Sequence, residues 1–96
     1  MRPSEIVQKY RSDIVMIATA NHVCNVRLFG SVARGEDTAG SDLDFLVDPT
    51  SETTLMDIAR LQNRLHQLLG MPVDVLTPKA LPSRFRATVL AEAVPI

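Results

Sequence analysis

The chain has 96 residues, of which 46% are hydrophobic, and a formal net charge of −1 at pH 7. This length suits a single domain over residues 1–96 and is too short for two cores. The small net charge excludes a general nucleic-acid-binding surface, which needs many Lys or Arg contacts to phosphate. The sequence shows no long apolar stretch or signal peptide, and its one cysteine forms no internal disulfide. We therefore expect a soluble cytoplasmic protein that does not enter a membrane.

The first predicted element is an amphipathic helix from Ser4 to about Ala20. Its apolar side chains recur at helical spacing, at Ile6, Tyr10, Ile14 and Ile17. Ser4 is suited to cap its start, and Asn21 to take a left-handed conformation at its end. A short strand over residues 25–29 then leads the chain into a glycine.

The stretch from Gly30 to Val47, GSVARGEDTAGSDLDFLV, contains the residues most suited to chemistry. A Gly-Ser turn is followed by a polar loop over residues 36–41 and a predicted strand from Asp42 to Val47. Side chains alternate between the two faces of a strand, so Asp42 and Asp44 are expected to project from the same side.

Two ionised carboxylates about 4 Å apart repel by roughly 4 kcal/mol at an effective dielectric constant of about 20. A divalent cation removes this cost, and Mg²⁺ is commonly held by one or two carboxylates together with substrate phosphates. Gly30 permits close approach of the backbone to a ligand, and N–H groups from Ser31 onwards can point at an anion. Arg34 adds a positive charge. The pattern predicts a site for a metal-bound phosphate compound.

A second amphipathic helix is predicted from Thr54 to about Leu69. Thr54 and Asp57 form an N-terminal capping pair, and Gly70 ends the helix. Its apolar stripe consists of Leu55, Ile58, Leu61, Leu65 and Leu68.

A third strand is predicted over residues 73–76, with Asp74 on the face opposite to its two valines. A last helix is expected from Pro82 to about Glu92. The residues that we expect to pack this helix are Leu81, Phe85, Val89 and Leu90. The element order predicts an α/β (α+β) fold, a small mixed β-sheet with helices packed on one face and the acidic residues on the other.

These motifs resemble the signature of the DNA polymerase beta nucleotidyltransferase superfamily, in particular its minimal nucleotidyltransferase (MNT) domains. The resemblance rests on Gly30-Ser31, the Ala-Arg-Gly step at residues 33–35, the Ser-Asp-Leu-Asp run at 41–44 and the Pro-Val-Asp-Val-Leu run at 72–76. It covers most of the chain. It implies a nucleotidyltransferase fold and Mg²⁺-dependent transfer of AMP from ATP to a hydroxyl group, with release of pyrophosphate.

The resemblance also implies a role for each site residue. Asp42, Asp44 and Asp74 would be the catalytic and metal-binding carboxylates for two Mg²⁺ ions, with Asp74 beside the attacking hydroxyl. Gly30 and Ser31 would hold the terminal phosphates of ATP. Arg34 would balance charge on the departing pyrophosphate.

The partner implied by the resemblance is a HEPN-domain toxin, because minimal nucleotidyltransferases such as the MntA-like antitoxins act in toxin–antitoxin pairs. The expected acceptor is a tyrosine of that toxin, and the two chains would form a hetero-oligomer. Two alternatives remain open from the sequence. One is a non-catalytic antitoxin that neutralises its partner by binding. The other is nucleotidyl transfer to a small hydroxylated molecule, for which this chain has no additional substrate domain.

Overall fold

A computed structural model describes residues 2–96 and contains four α-helices and four β-strands. The helices are α1 (Pro3–Lys9), α2 (Arg11–Ala20), α3 (Leu55–Leu69) and α4 (Ser83–Glu92). The strands are β1 (Val23–Phe29), β2 (Leu43–Pro49), β3 (Val73–Leu76) and β4 (Val94–Pro95), and a 3-10 helix spans Pro78–Ala80. Within residues 2–96, no helix has the length and apolar composition needed to cross a membrane.

The strands form one mixed sheet in the order β3-β2-β1-β4. β1 pairs antiparallel with both β2 and β4, whereas β2 and β3 are parallel. Parallel neighbours need a crossover connection, and α3 provides it. The predicted mixed sheet is therefore confirmed. The short strand β4 was not predicted, because its two residues carry no alternating pattern of their own.

The hydrophobic core lies between one face of the sheet and helices α1, α2 and α3. Along β2, Leu43, Phe45 and Val47 all point into this core and are fully buried. The helices contribute Val7, Ile14, Ala18, Leu61, Leu65 and Leu69. Strand alternation then places Asp44 on the opposite face, as predicted.

The opposite face of the sheet is only partly covered. Leu46 is fully buried on this face, and the 3-10 helix contacts β2 there. Further along β2, Asp48 forms an ion pair with Arg27. The end of β2 that carries Asp44 is left accessible.

The first predicted helix is wrong in its continuity and in its caps. It breaks at Tyr10 (φ −105°, ψ 18°) into α1 and α2. Ser4 does not cap the start, because α1 begins at Pro3 and Ser4 lies within its first turn, where the Ser4 N–H donates to Asp37 Oδ2 at 3.1 Å. At the far end, Asn21 has φ −105° and the left-handed residue is His22, with φ 63°. Local sequence did not show that a distant carboxylate would cap α1.

The predictions for α3 are confirmed at both ends. The Asp57 N–H donates to Thr54 Oγ1 at 3.1 Å, and the Thr54 N–H donates to Asp57 Oδ2 at 2.9 Å. This reciprocal pair satisfies two N–H groups that would otherwise lack partners at a helix start. Gly70 ends α3 in the left-handed region, with φ 69°.

The predicted packing of the last helix is wrong. None of the residues in α4 is buried, and Phe85 and Leu90 are 49% and 40% exposed. Leu81 is buried, but it precedes the helix. The Arg86 guanidinium donates to the carbonyl oxygens of residues 78, 79 and 81 and so fixes α4 to the 3-10 helix. Polar bonds, not apolar packing, hold the start of this helix.

Candidate active site

The carboxylates of β2 and β3 are brought together by the register of the sheet. Asp44 and Asp74 are Cα partners across the parallel pair, and Phe29 of β1 is the antiparallel partner of Asp44. Phe29, Asp44 and Asp74 therefore form one row across the accessible face of the sheet, which we call the carboxylate row. Asp44 is half-buried and Asp74 is exposed. The structure thus brings together two of the three carboxylates that the resemblance implies as metal ligands.

Asp42 lies one residue before β2 and is exposed. The predicted start of the strand is thus one residue too early, but Asp42 remains close enough to influence Asp44. Burial raises the pKa of the Asp44 carboxyl, and the charges of Asp74 and Asp42 raise it further. The three carboxylates share one electrostatic environment.

Among residues 2–96, no three His, Cys, Asp or Glu side chains lie in a geometry that forms a ready-made metal site. The donor set nevertheless fits a hard cation, because all three groups are carboxylates and the charges of Asp42 and Asp74 both repel that of Asp44. A bound divalent cation would relieve the repulsion that raises the pKa of Asp44. The metal roles of Asp42, Asp44 and Asp74 therefore remain predictions that the chemistry of this cluster supports.

The glycine that follows β1 is in contact with the carboxylate of β2. Gly30 has φ 76°, and a Cβ atom placed on it would lie 2.6 Å from Asp44 Oδ2. Real Cβ atoms do not approach an oxygen so closely, and a positive φ strains any side chain other than glycine's. A side chain at position 30 would strain the turn and force the Asp44 carboxylate to move.

The turn after Gly30 is a single helical turn with a defined end. The Glu36 N–H donates to the Ser31 carbonyl at 2.9 Å, and the Gly35 N–H donates to the Val32 carbonyl at 3.2 Å. With Gly35 at φ 71°, these bonds form a Schellman motif. Within the described chain, no hydrogen-bond acceptor is assigned to the N–H groups of residues 31–33. These three donors are free to receive an anion.

Arg34 is engaged with two acidic side chains. Its Nε donates to Glu36 Oε2 at 3.0 Å, and its Nη1 lies 3.7 Å from Glu92 Oε2 at the end of α4. The hydrogen bond that Arg34 donates to Glu36 is the main cause that raises the pKa of Arg34, and the charges of Glu36 and Glu92 add to it. The predicted phosphate-binding cation is therefore paired with carboxylates in this structure.

Two features of this region were missed from the sequence. Phe29 was predicted only as part of the short strand over residues 25–29, although the pairing of β1 with β2 places it beside Asp44. Asp37 is buried in the loop between the turn and Asp42, where it accepts hydrogen bonds from Arg2 Nη2 at 3.0 Å and from the Ser4 N–H. The pKa of Asp37 is lowered mainly by the Ser4 N–H, with Arg2 adding to the effect. No local signal links residue 37 to residues 2 and 4.

A cavity of about 630 Å³ lies behind the turn, on the side of the helices. It is lined by α1, by Val32 and Ala33 of the turn, and by β4. None of the three site carboxylates lines it. The carboxylate row is thus an open surface beside the turn, and a substrate there would be accessible to a second molecule.

The sequence profile described as Polymerase beta, Nucleotidyltransferase matches residues 12–96. A relative from Thermococcus cleftensis, named protein adenylyltransferase MntA, is 39% identical over 72 residues, which cover 75% of this chain and 73% of the relative. The match to the profile begins in α2, so it includes the turn and all three carboxylates.

Two solved structures have a similar fold. One, described as a minimal nucleotidyltransferase, is 41% identical, has a TM-score of 0.86, and the match covers 97% of this chain and 95% of that one. The other is a toxin–antitoxin crystallised with AMP-PNP, at 20% identity and a TM-score of 0.73, with 88% of this chain and 69% of that one covered. At this low identity the second match shows the fold alone.

Proposed function

This chain belongs to the polymerase beta nucleotidyltransferase family, and on that premise we propose that it transfers AMP from ATP to a hydroxyl group of a partner protein. A bond forms between the acceptor oxygen and the α-phosphorus, and the bond from the α-phosphorus to the bridging oxygen of the β-phosphate breaks. The acceptor loses its proton, and pyrophosphate leaves. The observation that carries this proposal is the pairing of Asp44 with Asp74 beside the Gly30 turn.

The turn supplies the phosphate-binding part of the site. The N–H groups of residues 31–33 have no assigned acceptor, and they cluster at the start of one helical turn. Together with the Ser31 hydroxyl, they would bind the β- and γ-phosphates of ATP. Gly30 keeps this turn against Asp44, so phosphates bound there would place the α-phosphorus close to the carboxylates.

The carboxylates supply the second part. Asp42, Asp44 and Asp74 would hold Mg²⁺, which when bound neutralises phosphate charge and polarises the reacting oxygens. Asp74 is exposed at the edge of the sheet. A hydroxyl group on a second molecule can reach it, and Asp74 would orient this hydroxyl and accept its proton.

Arg34 would exchange its present partners for the substrate. Glu36 and Glu92 hold the guanidinium near the turn, and both ion pairs are partly exposed. Exposed ion pairs are weak, so a polyphosphate carrying several charges would compete well for the same guanidinium. Arg34 would then stabilise the charge that develops on pyrophosphate.

The partner that we propose is a HEPN-domain toxin, with a tyrosine as acceptor and with this chain as the antitoxin. The relative at 39% identity is named a protein adenylyltransferase, and this chain shares its fold with one chain of a toxin–antitoxin structure solved with AMP-PNP. The open carboxylate row supports a macromolecular acceptor, since the cavity behind the turn does not reach the carboxylates.

The test is transfer of label from α-labelled ATP to a purified HEPN-domain partner in the presence of Mg²⁺. We expect label on the partner with the native chain and none with Asp44→Asn. Asp13→Asn makes the same change on the exposed surface of α2 and should label normally. A folded native chain that never labels its partner contradicts the proposal.

A non-catalytic antitoxin is the second candidate. It is favoured by one observation, that Arg34, the expected phosphate-binding cation, is paired with Glu36 and Glu92. The two functions differ in the behaviour of Asp44→Asn. Loss of toxin neutralisation supports transfer, whereas full neutralisation by this variant supports binding alone.

A further inference from the structure

The position of Asp74 depends on a short strand at the edge of the sheet. β3 has four residues and, among residues 2–96, pairs only with β2. Parallel pairing is slightly weaker per residue than antiparallel pairing. Asp74 in this strand is in register with Asp44, and the two negative charges repel each other. This strand therefore needs support from outside the sheet to keep the two carboxylates side by side.

The support comes from a side chain of α3. The Val75 N–H, next to Asp74 in the chain, donates to Gln62 Oε1 at 2.9 Å. Gln62 is half-buried and follows Leu61, which is fully buried in the core. The bond therefore connects the outer edge of β3 to a helix that the core holds firmly.

We propose that Gln62 is a positioning residue for the transfer reaction, which fixes β3 through the Val75 N–H and thereby holds the Asp74 carboxylate beside Asp44. This inference rests on the proposed function and adds a residue outside its motifs. Gln62 lies on the helix side of β3, whereas Asp74 projects from the opposite face, so Gln62 acts through the strand and not on substrate.

Gln62 and the valine side chains of β3 restrain the strand in different ways. Val73 and Val75 are buried and hold the strand against the core, but the hydrophobic effect that keeps them there is non-directional. A hydrogen bond is directional and fixes one N–H group at one place. Loss of the bond should leave the fold intact and loosen the placement of Asp74.

The decisive variants are Gln62→Leu, which removes the acceptor, and Gln62→Glu, which retains an oxygen in the same place. Gln67→Leu makes the same change on the exposed side of α3 and is the matched control. Three quantities are measured: amide hydrogen exchange at Val75, Mn²⁺ binding by electron paramagnetic resonance, and the kcat and KM of transfer to the partner.

For Gln62→Leu we expect faster exchange at Val75, and kcat or Mn²⁺ affinity lower by about 10–100-fold, the range seen when groups that orient metal ligands are removed. The KM for ATP should stay within about twofold, because the turn that binds the phosphates is unchanged. Gln62→Glu should restore kcat and Mn²⁺ affinity, and Gln67→Leu should resemble the native chain.

Faster exchange at Val75 with unchanged Mn²⁺ binding and kcat would show a purely structural bond and overturn the proposal, as would failure of Gln62→Glu to restore both. If Gln62→Leu does not fold, Gln62→Asn decides by the same criteria, since its shorter side chain loses the bond but stays polar. Absence of transfer in the native chain would contradict the proposed function, while exchange and Mn²⁺ binding still decide the role of Gln62.

Discussion

Gly30 lies against Asp44 so closely that a methyl group on Gly30 would stand 2.6 Å from the Asp44 carboxylate. Gly30 directly follows β1 and Asp44 lies in β2, its antiparallel neighbour, and each residue limits the other. Asp44 needs a neighbour without a side chain, and the turn needs a residue that adopts φ 76°. This contact joins the phosphate-binding turn to the carboxylate row.

The glycines of the chain provide a graded test of this contact. Gly30→Ala should destabilise the fold by roughly 1–3 kcal/mol and abolish transfer, because it adds backbone strain and displaces Asp44. Gly35→Ala adds strain alone, since open space surrounds Gly35, and should cost about 1 kcal/mol. Gly40→Ala adds neither and should be nearly neutral. Urea unfolding measures the series, and equal losses for Gly30 and Gly35 would contradict the close contact.

Asp44→Asn should stabilise the metal-free protein at neutral pH while it removes transfer. The raised pKa of Asp44 means that its ionised form is disfavoured in the folded state. The ionised carboxylate therefore lowers the free energy of unfolding, and this loss is complete above the folded pKa. We expect a gain below about 1 kcal/mol at pH 7, because solvent screens a half-exposed charge. The gain should vanish below the ordinary carboxyl pKa of about 3.9. Thermal unfolding at pH 3 and pH 7 measures it, and destabilisation at pH 7 would contradict this account.

Asp37→Asn should destabilise the protein at neutral pH by roughly 1–3 kcal/mol, since it weakens buried hydrogen bonds to the Ser4 N–H and to Arg2. The lowered pKa of Asp37 contributes stability that is present above about pH 4 and is lost as the pH falls through the folded value. The variant should therefore lose less stability on acidification. The free energy of unfolding is measured from pH 2 to 7 for the native chain and the variant, with Asp13→Asn as control. Parallel pH dependences of the native chain and Asp37→Asn would contradict this account.

Glu92→Gln should improve ATP binding. Glu92 is one of two carboxylates paired with Arg34, so its neutralisation frees the guanidinium for phosphate. We expect the KM for ATP to fall by about two- to fivefold, the scale of an exposed ion pair, and the effect to shrink in high salt. Glu52→Gln makes the same change on an exposed residue that pairs with His22 and not with Arg34, and it should leave the KM unchanged. A higher KM in Glu92→Gln would mean that Glu92 holds Arg34 in its productive position.

Local signals in the sequence were sufficient for several parts of the fold. The helix α3 is set by the Thr54–Asp57 pair at its start and Gly70 at its end, and all of these contacts span four residues or fewer. The same is true of the alternation that turns Asp44 away from the core, because it follows from the geometry of one strand. The Gly-Ser turn, the Ala-Arg-Gly step, the Asp-x-Asp run and the Pro-Val-Asp-Val-Leu run together were sufficient to indicate the family.

The tertiary structure decided the features that join distant parts of the chain. Asp37 caps α1 from 33 residues away, β4 adds to the edge of β1, and α4 leaves Phe85 exposed because few other residues pack against it. The register that sets Asp44 beside Asp74 likewise depends on how β2, α3 and β3 pack together. Periodicity and capping are properties of neighbouring residues, whereas register, distant caps and burial depend on which elements meet, and this is determined by the packing of the whole core.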